Sequence, residues 1–318
     1  MAGYALGRFR SGLDAPFTGV VVDGQVVALE RLGLDMTTVE DLLAEWAVNA
    51  LVLDAVVGAA AEQWAQLAVP ESALTALAPY APGQVFQSGA NYKKHVVQLL
   101  VAAAAEQGET DLGGAEARAV DLMEHRAESG VPYAFLGLSS SVCGPTDEVM
   151  LPPTGVQHDW ELELGVVIGE HTYRASRETA LERVAGYVIV NDLTTRDRIF
   201  RPDLPGIGTD WLAGKNAPTF LPLGPWIVPA RFVPDPTNLR ITLSLNGEVM
   251  QDESTADMIF DIPRLIEYVS AITPLLPGDL LLTGSPAGNG AHYGRYLRPG
   301  DVMESTITGL GTQRNRCV

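Results

Sequence analysis

The chain has 318 residues, with 39 acidic and 21 basic side chains and a formal net charge of −18 at pH 7. A surface that binds phosphate groups needs a basic patch, and none is visible, so nucleic acid and anionic membranes are excluded and a small-molecule partner is expected. A hydrophobic content of 47% over this length is typical of a soluble globular protein with one large domain or two.

The first 84 residues are predicted to form a small N-terminal α/β domain. The chain begins MAGYALGRFRSGLDAP, without the apolar segment of a signal peptide, and it has only two cysteines, so we expect a cytoplasmic protein. FTGVVVDGQVVAL predicts a β-hairpin that turns at Asp23-Gly24. Thr37 and Glu40 have capping-box spacing and open a helical region. The Pro/Gly-rich break at 78–84 marks the domain boundary.

Residues 85–318 are predicted to form a β-rich domain with a few helices. VFQSG is a strand that runs into a loop at NYKKH, and 96–128, rich in Ala and Glu, is predicted to be a helical cover. ELELGVVIG and VAGYVIVND are buried strands, and LSLNGEVMQ is a hairpin with Asn246-Gly247 at its turn. Asp261 is the expected N-cap of the helix IPRLIEYVSAI, and DLLLTGSPAGNG is a strand that breaks into a Gly-rich loop. The strands and helices do not alternate regularly, which argues against a Rossmann fold or a TIM barrel.

Three acidic residues stand near the ends of the two buried strands. Glu161 and Glu163 in HDWELELGVVIG are two positions apart, so on a strand they point to one face, where like charges need water or a cation between them. Asp192 follows the second strand. Three carboxylates form a hard-oxygen ligand set suited to Mg²⁺ or Mn²⁺. For the Glu pair alone, a solvated strand face is an equally good explanation.

The order of six motifs resembles that of the fumarylacetoacetate hydrolase superfamily: GANYKKH, DWELELGVVIG, AGYVIVNDLTTRD, GKNAPTFLPLGPWIV, LSLNGEVMQ and LLTGSPAG. The resemblance covers about 85–318 and implies a β-rich α+β fold, a mixed β-sandwich roll that usually forms homodimers, preceded by a variable small domain. It also implies a divalent metal held by a Glu-x-Glu pair and a later Asp. These ligands map onto Glu161, Glu163 and Asp192.

The resemblance also implies two catalytic side chains. His95 in NYKKH matches the family's catalytic histidine, which as a neutral imidazole can take a proton from water near pH 7. Lys215 in GKNAPTF matches a lysine near the metal, where its charge would fix a substrate carboxylate or oxyanion.

Four further residues are candidates for binding the substrate. Arg196 is expected to orient Asp192 or the substrate carboxylate, with a structural ion pair as the alternative. The turn at Gly284 and Ser285 is expected to bring backbone N–H groups and a hydroxyl to a carboxylate, unless it is a plain β-turn. Tyr92 is predicted to form either the cavity wall or part of the core.

Three departures from the family pattern bear on function. Gln98 stands where many members carry a Glu that polarises the histidine, Ile199 replaces a frequent Gln, and Leu136-Gly137 replaces a frequent Lys. Glu106 is a candidate to replace the missing acid. The metal ligands are therefore retained, whereas the groups that activate water and recognise substrate are altered.

Together these residues predict a metal-dependent hydrolase that cleaves a carbon–carbon bond in a 1,3-dicarbonyl acid, such as an acylpyruvate or a fumarylacetoacetate-like compound. His95 would deprotonate water, and the metal would stabilise the enolate that leaves. A 2-oxo acid decarboxylase, isomerase, or hydratase/lyase uses the same enolate and remains open. A non-catalytic small-molecule binding protein is a further alternative.

Overall fold

The computed structural model describes residues 3–203, 206 and 208–318, without the side chain of Glu106. Its strands form two sheets and two short pairs. The strands are β1 (Ala5–Arg10), β2 (Phe17–Val22), β3 (Gln25–Ala28), β4 (Val69–Pro70), β5 (Thr75–Leu77), β6 (Val85–Gly89), β7 (Tyr133–Gly137), β8 (Val142–Cys143), β9 (His158–Asp159), β10 (Leu162–Ile168), β11 (Val184–Asn191), β12 (Thr194–Thr195), β13 (Leu221–Pro222), β14 (Trp226–Pro229), β15 (Arg240–Leu245), β16 (Glu248–Ser254), β17 (Leu280–Leu282), β18 (Val302–Ile307) and β19 (Thr312–Arg316).

Several helices begin at side chains that accept hydrogen bonds from free backbone N–H groups. Asp261 caps its helix as predicted. The capping box is formed by Thr38 and Asp41, one residue later than the predicted pair Thr37 and Glu40. The helices are α1 (Val39–Ala44), α2 (Trp46–Ala59), α3 (Trp64–Leu67), α4 (Lys93–Glu106), α5 (Leu112–Ser129), α6 (Arg177–Ala180), α7 (Trp211–Lys215), α8 (Ile262–Ile272) and α9 (Gly290–Tyr293).

One large mixed sheet organises the described part of the chain. Its strand order is β4-β3-β2-β1-β14-β11-β10-β17-β6-β7, with β5 paired to β1, and a second sheet has the order β16-β15-β18-β19. Within the large sheet β17 and β6 are parallel, and the other pairs are antiparallel. The β-rich α+β prediction is confirmed. Because β1 pairs with β14, the N-terminal strands continue the same sheet, and the domain boundary at residue 84 stays a prediction.

The central strands β10 and β11 are buried along their whole length. Leu162, Leu164 and Val166 of β10 belong to one hydrophobic core, whereas Val167 belongs to the core on the opposite face of the sheet. Both hairpins turn where predicted, because Asp23-Gly24 and Asn246-Gly247 have positive φ angles. Among the described residues, no helix combines the length and apolarity needed for a membrane span.

The segment that follows β6 differs from its prediction. We expected a loop at NYKKH, but α4 begins at Lys93, so His95 lies in the first turn of a helix. The predicted helical cover over 96–128 is a pair of helices, α4 and α5, that lie against each other. The N-terminus of α4 is linked to the segment that follows strand β16 of the second sheet. The backbone N of Lys94 donates a hydrogen bond to the side chain of Asp257 in that segment, at 2.9 Å.

Candidate active site

The strand register brings the three predicted metal ligands together. Leu162 pairs with Asn191 and Glu163 pairs with Val190, so Glu161 and Asp192 meet at the end of the β10–β11 ladder. Each of the three acids offers an oxygen within 4.8 Å of the oxygens of the others, and all three side chains are buried. The shared strand face therefore directs three carboxylates to one point.

Glu161 is held by cations on both of its oxygens. Oε1 accepts from Arg196 Nη2 at 2.5 Å, and Oε2 accepts from Lys215 Nζ and from Thr194 Oγ1 at 3.2 Å. Burial alone would raise the pKa of Glu161, but the charges of Arg196 and Lys215 hold it well below its usual range. Glu161 is therefore ionised at neutral pH.

Glu163 and Asp192 have fewer compensating charges. Burial and the charge of Asp192 raise the pKa of Glu163 well above its usual range, and its partner is the amide of Gly284, which donates to Oε2 at 2.6 Å. Burial also raises the pKa of Asp192, although Lys215 donates to its Oδ2 at 2.6 Å and Gln87 to its Oδ1 at 2.6 Å. The cluster therefore holds more carboxylate charge than its protein partners neutralise.

The charge balance of this site fits a divalent cation. Four buried carboxylates, those of Asp159, Glu161, Glu163 and Asp192, face two cations, Lys215 and Arg196. When all four acids are ionised, two negative charges are in excess, which is why burial and mutual repulsion raise the pKa values of Glu163 and Asp192. Charges taken out of water are stable only when they are paired. One Mg²⁺ or Mn²⁺ bound by the three clustered acids would neutralise the excess, and carboxylate oxygens are the ligands these ions prefer.

We predicted that Arg196 orients Asp192 or the substrate carboxylate, with a structural ion pair as the alternative. Its ion pairs are with Asp159 and Glu161, and it forms none with Asp192. Its Nε donates to Asp159 Oδ2 at 2.8 Å, and its second contact is with Glu161. Asp159 is fully buried and also accepts from the amides of Gly290, at 2.5 Å, and Ala291, at 3.1 Å. Asp159 thus anchors Arg196, which in turn holds Glu161. Arg196 therefore forms the structural ion pair that was the alternative prediction.

His95 is buried, and no carboxylate among the described side chains forms a hydrogen bond with its ring. Burial lowers the pKa of His95 to about 4, aided by the charges of Arg196 and Lys215 and opposed by that of Glu161, so the imidazole is neutral at pH 7. Its Nδ1 lies 3.4 Å from Nδ2 of Asn289. Oε1 of Gln98, at the position of the missing acid, is buried and accepts no hydrogen bond from the described residues. The side chain of Glu106 lies outside them.

The three clustered acids line a cavity of about 160 Å³ together with His95, Arg196 and Lys215. Its lining residues are Ser88, Gly89, Ala90, His95, Leu99, Tyr133, Phe135, Glu161, Glu163, Asp192, Arg196, Trp211, Lys215 and Ser285.

Two of the residues predicted to bind substrate have other positions or partners. Tyr92 is fully buried in the core at the N-cap position of α4, where its side chain makes no capping hydrogen bond, so the core alternative applies to it. The amide of Gly284 is occupied by Glu163, because the turn follows β17 directly beside β10. Ser285 does line the cavity, and its Oγ accepts from Gln251 Nε2 at 3.1 Å.

The family of the protein follows from comparison with known sequences. A family model described as Fumarylacetoacetate (FAA) hydrolase C-terminal matches residues 84–318. The chain belongs to this family. The family contains enzymes named as hydrolases, isomerases and tautomerases, and the resemblance predicted from six motifs is confirmed.

Two curated relatives and one solved structure illustrate the range of these enzymes. The 2,4-didehydro-3-deoxy-L-rhamnonate hydrolase of Sphingomonas sp. (strain SKA58) is 45% identical over 201 residues, which are 61% of this chain and 69% of the relative. The human mitochondrial oxaloacetate tautomerase FAHD2A is 36% identical over 258 residues, 80% of this chain and 73% of the relative. Maleylpyruvate hydrolase from Sphingobium sp. SYK-6, in complex with manganese(II) and pyruvate, has a TM-score of 0.72 at 27% identity, covering 99% of this chain and 98% of that one.

Three site residues were not found from the sequence: Gln87, Asp159 and Asn289. Gln87 contacts Asp192 from 105 positions away, and Asn289 contacts His95 from 194 positions away. Asp159 had a local signal, because it shares strand parity with Glu161 in HDWELE and could have been predicted to point to the same face.

Replacing Gly284 by alanine is expected to weaken the metal site. Gly284 has φ +91°, and a Cβ would lie 3.0 Å from Asn91 Cβ and 3.1 Å from Ser88 O, so the amide that holds Glu163 must shift. Gly300→Ala is the matched control, because Gly300 has φ +95° but no described heavy atom within 4 Å of a Cβ. Both variants lose about 1–2 kcal/mol of stability from the left-handed backbone. Only Gly284→Ala should also lose Mn²⁺ affinity in a calorimetric titration, and equal affinity in the two variants would contradict the assignment.

Proposed function

We propose that the protein is a divalent-metal-dependent hydrolase that cleaves the carbon–carbon bond of a 2,4-dioxo acid to give pyruvate and a carboxylic acid. The observation that carries the proposal is the cluster of three buried carboxylates in a cavity that also contains a neutral histidine. When ionised together with Asp159, these acids carry two more negative charges than Lys215 and Arg196 balance. The name of the Sphingomonas relative and the manganese–pyruvate complex of the structural neighbour support this proposal. The ion is proposed to be Mg²⁺ or Mn²⁺.

The reaction consumes one water molecule. Water adds to the C4 carbonyl, the C3–C4 bond breaks, and its electron pair passes into the pyruvate portion, which then takes a proton at C3. His95 is the proposed base, because it is neutral at pH 7 and faces the cavity. Lys215 and Arg196 keep Glu161 ionised and in place. A bound divalent cation would supply positive charge for the oxygen that becomes negative as the bond breaks.

A second candidate, 2-oxo acid tautomerisation or decarboxylation, is favoured by the partner of His95. An amide nitrogen that donates to Nδ1 places the ring proton on Nε2, which suits proton donation better than the deprotonation of water. If the amide is turned so that its oxygen accepts from Nδ1–H, Nε2 is left free to act as a base. The name of the human relative, oxaloacetate tautomerase, agrees with the second candidate.

The test is an assay of purified protein with 2,4-dioxopentanoate and with oxaloacetate, each with Mn²⁺, Mg²⁺ or EDTA. We expect metal-dependent release of pyruvate and acetate from 2,4-dioxopentanoate, and a fall of roughly 10²–10⁴-fold in His95→Gln. Acceleration of oxaloacetate enol–keto exchange or decarboxylation, with no cleavage of the dioxo acid, would establish the second candidate. Turnover that EDTA leaves unchanged would refute the metal-dependent mechanism. The homodimeric assembly and the cytoplasmic location stay predictions.

Asn289→Asp is expected to increase hydrolysis and to move its pH dependence. A carboxylate beside Nδ1 accepts only from Nδ1–H, so it fixes the base tautomer and raises the pKa of His95 from about 4. Because the base form exists above this pKa, the acid limb of the kcat/KM profile should move to higher pH in the variant. Asn238→Asp, at an exposed position, is the control. An acid limb at the same pH in the variant and the wild type would show that Asn289 does not set the ionisation of His95.

A further inference from the structure

One wall of the cavity consists of three aromatic residues and one leucine, and we call it the aromatic wall: Tyr133, Phe135, Trp211 and Leu99. The rings of Phe135 and Trp211 stack with centroids 4.3 Å apart and an interplanar angle of 13°. The indole Nε1 of Trp211 donates to the hydroxyl of Tyr133 at 2.6 Å, so the polar atom of the indole is already bonded within the wall. The surface that the wall offers to a ligand is therefore mainly apolar.

The cations of the cavity lie with the carboxylates and not with the wall. Among the described lining residues the permanently charged bases are Lys215 and Arg196, and both form ion pairs with Glu161. Leu99, Tyr133, Phe135 and Trp211 carry no positive charge at neutral pH. Leu99 and Tyr133 are exposed, whereas Phe135 and Trp211 are half-buried. A second carboxylate placed against the stacked rings of Phe135 and Trp211 would lose part of its water without gaining a cationic partner, which is unfavourable.

Helix α7 sets the distance between the two parts of the cavity. Trp211 is its first residue and Lys215 its last, four positions apart, so the two side chains lie on the same side of the helix. Four residues of α-helix rise about 6 Å along the axis. A ligand whose carboxylate and 2-oxo group lie by the charged cluster would thus place its fourth and fifth carbons against the aromatic wall.

We propose that the cavity selects substrates whose acyl group is uncharged and apolar, an alkyl chain or an aryl ring, over substrates that carry a second carboxylate. This proposal rests on the proposed function and names its substrate class. The aromatic wall provides apolar contacts for the acyl group. No described cation lies in the wall to pair with a second carboxylate, so a substrate with two carboxylates should bind more weakly. In this respect the protein should differ from enzymes that act on diacids.

The test compares the binding of 2-oxohexanoate and 2-oxoadipate, which differ only in a terminal methyl or carboxylate group. Neither compound has a 4-oxo group, so binding is measured without cleavage. Isothermal titration of Mn²⁺-loaded wild-type protein should show at least about tenfold tighter binding of 2-oxohexanoate, a difference of about 1.4 kcal/mol. Phe135→Ala and Trp211→Ala should weaken 2-oxohexanoate about tenfold and leave 2-oxoadipate nearly unchanged.

Leu212→Ala is the matched control, because Leu212 follows Trp211 in α7, is 68% exposed and does not line this cavity. Phe135→Leu keeps an apolar side chain and should retain the preference, which guards against a variant that fails to fold. Equal binding of the two ligands by the wild type, or tighter binding of 2-oxoadipate, would overturn the substrate class alone. If neither ligand binds to the Mn²⁺-loaded protein, the 2-oxo acid site of the proposed function is wrong as well.

Discussion

Glu163→Gln is expected to lower the affinity for Mn²⁺ by at least about 100-fold and, at the same time, to stabilise the metal-free protein. Loss of partners outside the ligand set already costs 10–100-fold in other metal sites, and Glu163 is a proposed ligand. Without metal, the Glu163 carboxylate is buried beside Asp192 and accepts from the amide of Gly284, and the structure gives it no ion pair among the described residues. Removing its charge therefore relieves repulsion.

The effect on stability has a defined pH dependence. The folded-state pKa of Glu163 is raised above its usual 4.5, so the folded state binds the proton more tightly than the unfolded state does. Metal-free wild-type protein should therefore lose stability as the pH rises above about 4.5, and Glu163→Gln should lose less. Urea unfolding in EDTA at several pH values measures this difference. Glu182→Gln, at an exposed position, is the control, and an unchanged Mn²⁺ affinity in Glu163→Gln would remove Glu163 from the site.

Lys215→Met is expected to destabilise the metal-free protein by about 3–5 kcal/mol, because it leaves buried carboxylates without their cation. Nζ of Lys215 contacts Glu161, the side chain of Asp192 and the backbone oxygen of Asp192 at 3.0 Å. Although burial alone would lower it, the pKa of Lys215 is raised by the charges of Asp192 and Glu161, so the amine stays charged at neutral pH. Methionine keeps much of the apolar stem and removes that charge.

Saturating Mn²⁺ should add more stability to Lys215→Met than to the wild type. In the variant the ion also balances the carboxylate charge that Lys215 balances in the wild type. Urea unfolding with Mn²⁺ and with EDTA provides the comparison. Lys94→Met is the matched control, because Lys94 forms an exposed ion pair with Glu253 at 2.7 Å and its loss should cost less than about 1 kcal/mol. Equal losses in the two variants would show that the buried lysine does not balance the carboxylate cluster.

The clustering of the three acids could be predicted because strand geometry is local. A strand places Glu161 and Glu163 on one face whatever the rest of the chain does, and the apolar run before Asp192 predicted the partner strand. The hairpin turns and the N-cap at Asp261 were predicted for the same reason, since their signals lie within a few residues. The family resemblance then supported the grouping of this Glu pair with Asp192 in one ligand set, which local pattern alone does not establish.

The features that the sequence did not reveal depend on distant contacts or on small differences between neighbouring residues. Thr37 and Thr38 can both begin a helix, and the side chain of Asp41 decided for the second. NYKKH was predicted to be a loop because the helix that begins at Lys93 has no side-chain cap to announce it. The partner of Arg196 depended on Asp159, which is itself positioned by amides more than 130 residues later.

One short loop contacts three separate parts of the active site. The amide of Gly284 holds Glu163, Asn289 lies against His95, and the amide of Gly290 holds Asp159. A substitution that shifts this backbone would alter ion affinity, imidazole orientation and the arginine anchor together. Substitutions in this loop should therefore change these three properties together, and variants that alter only one of them should be rare.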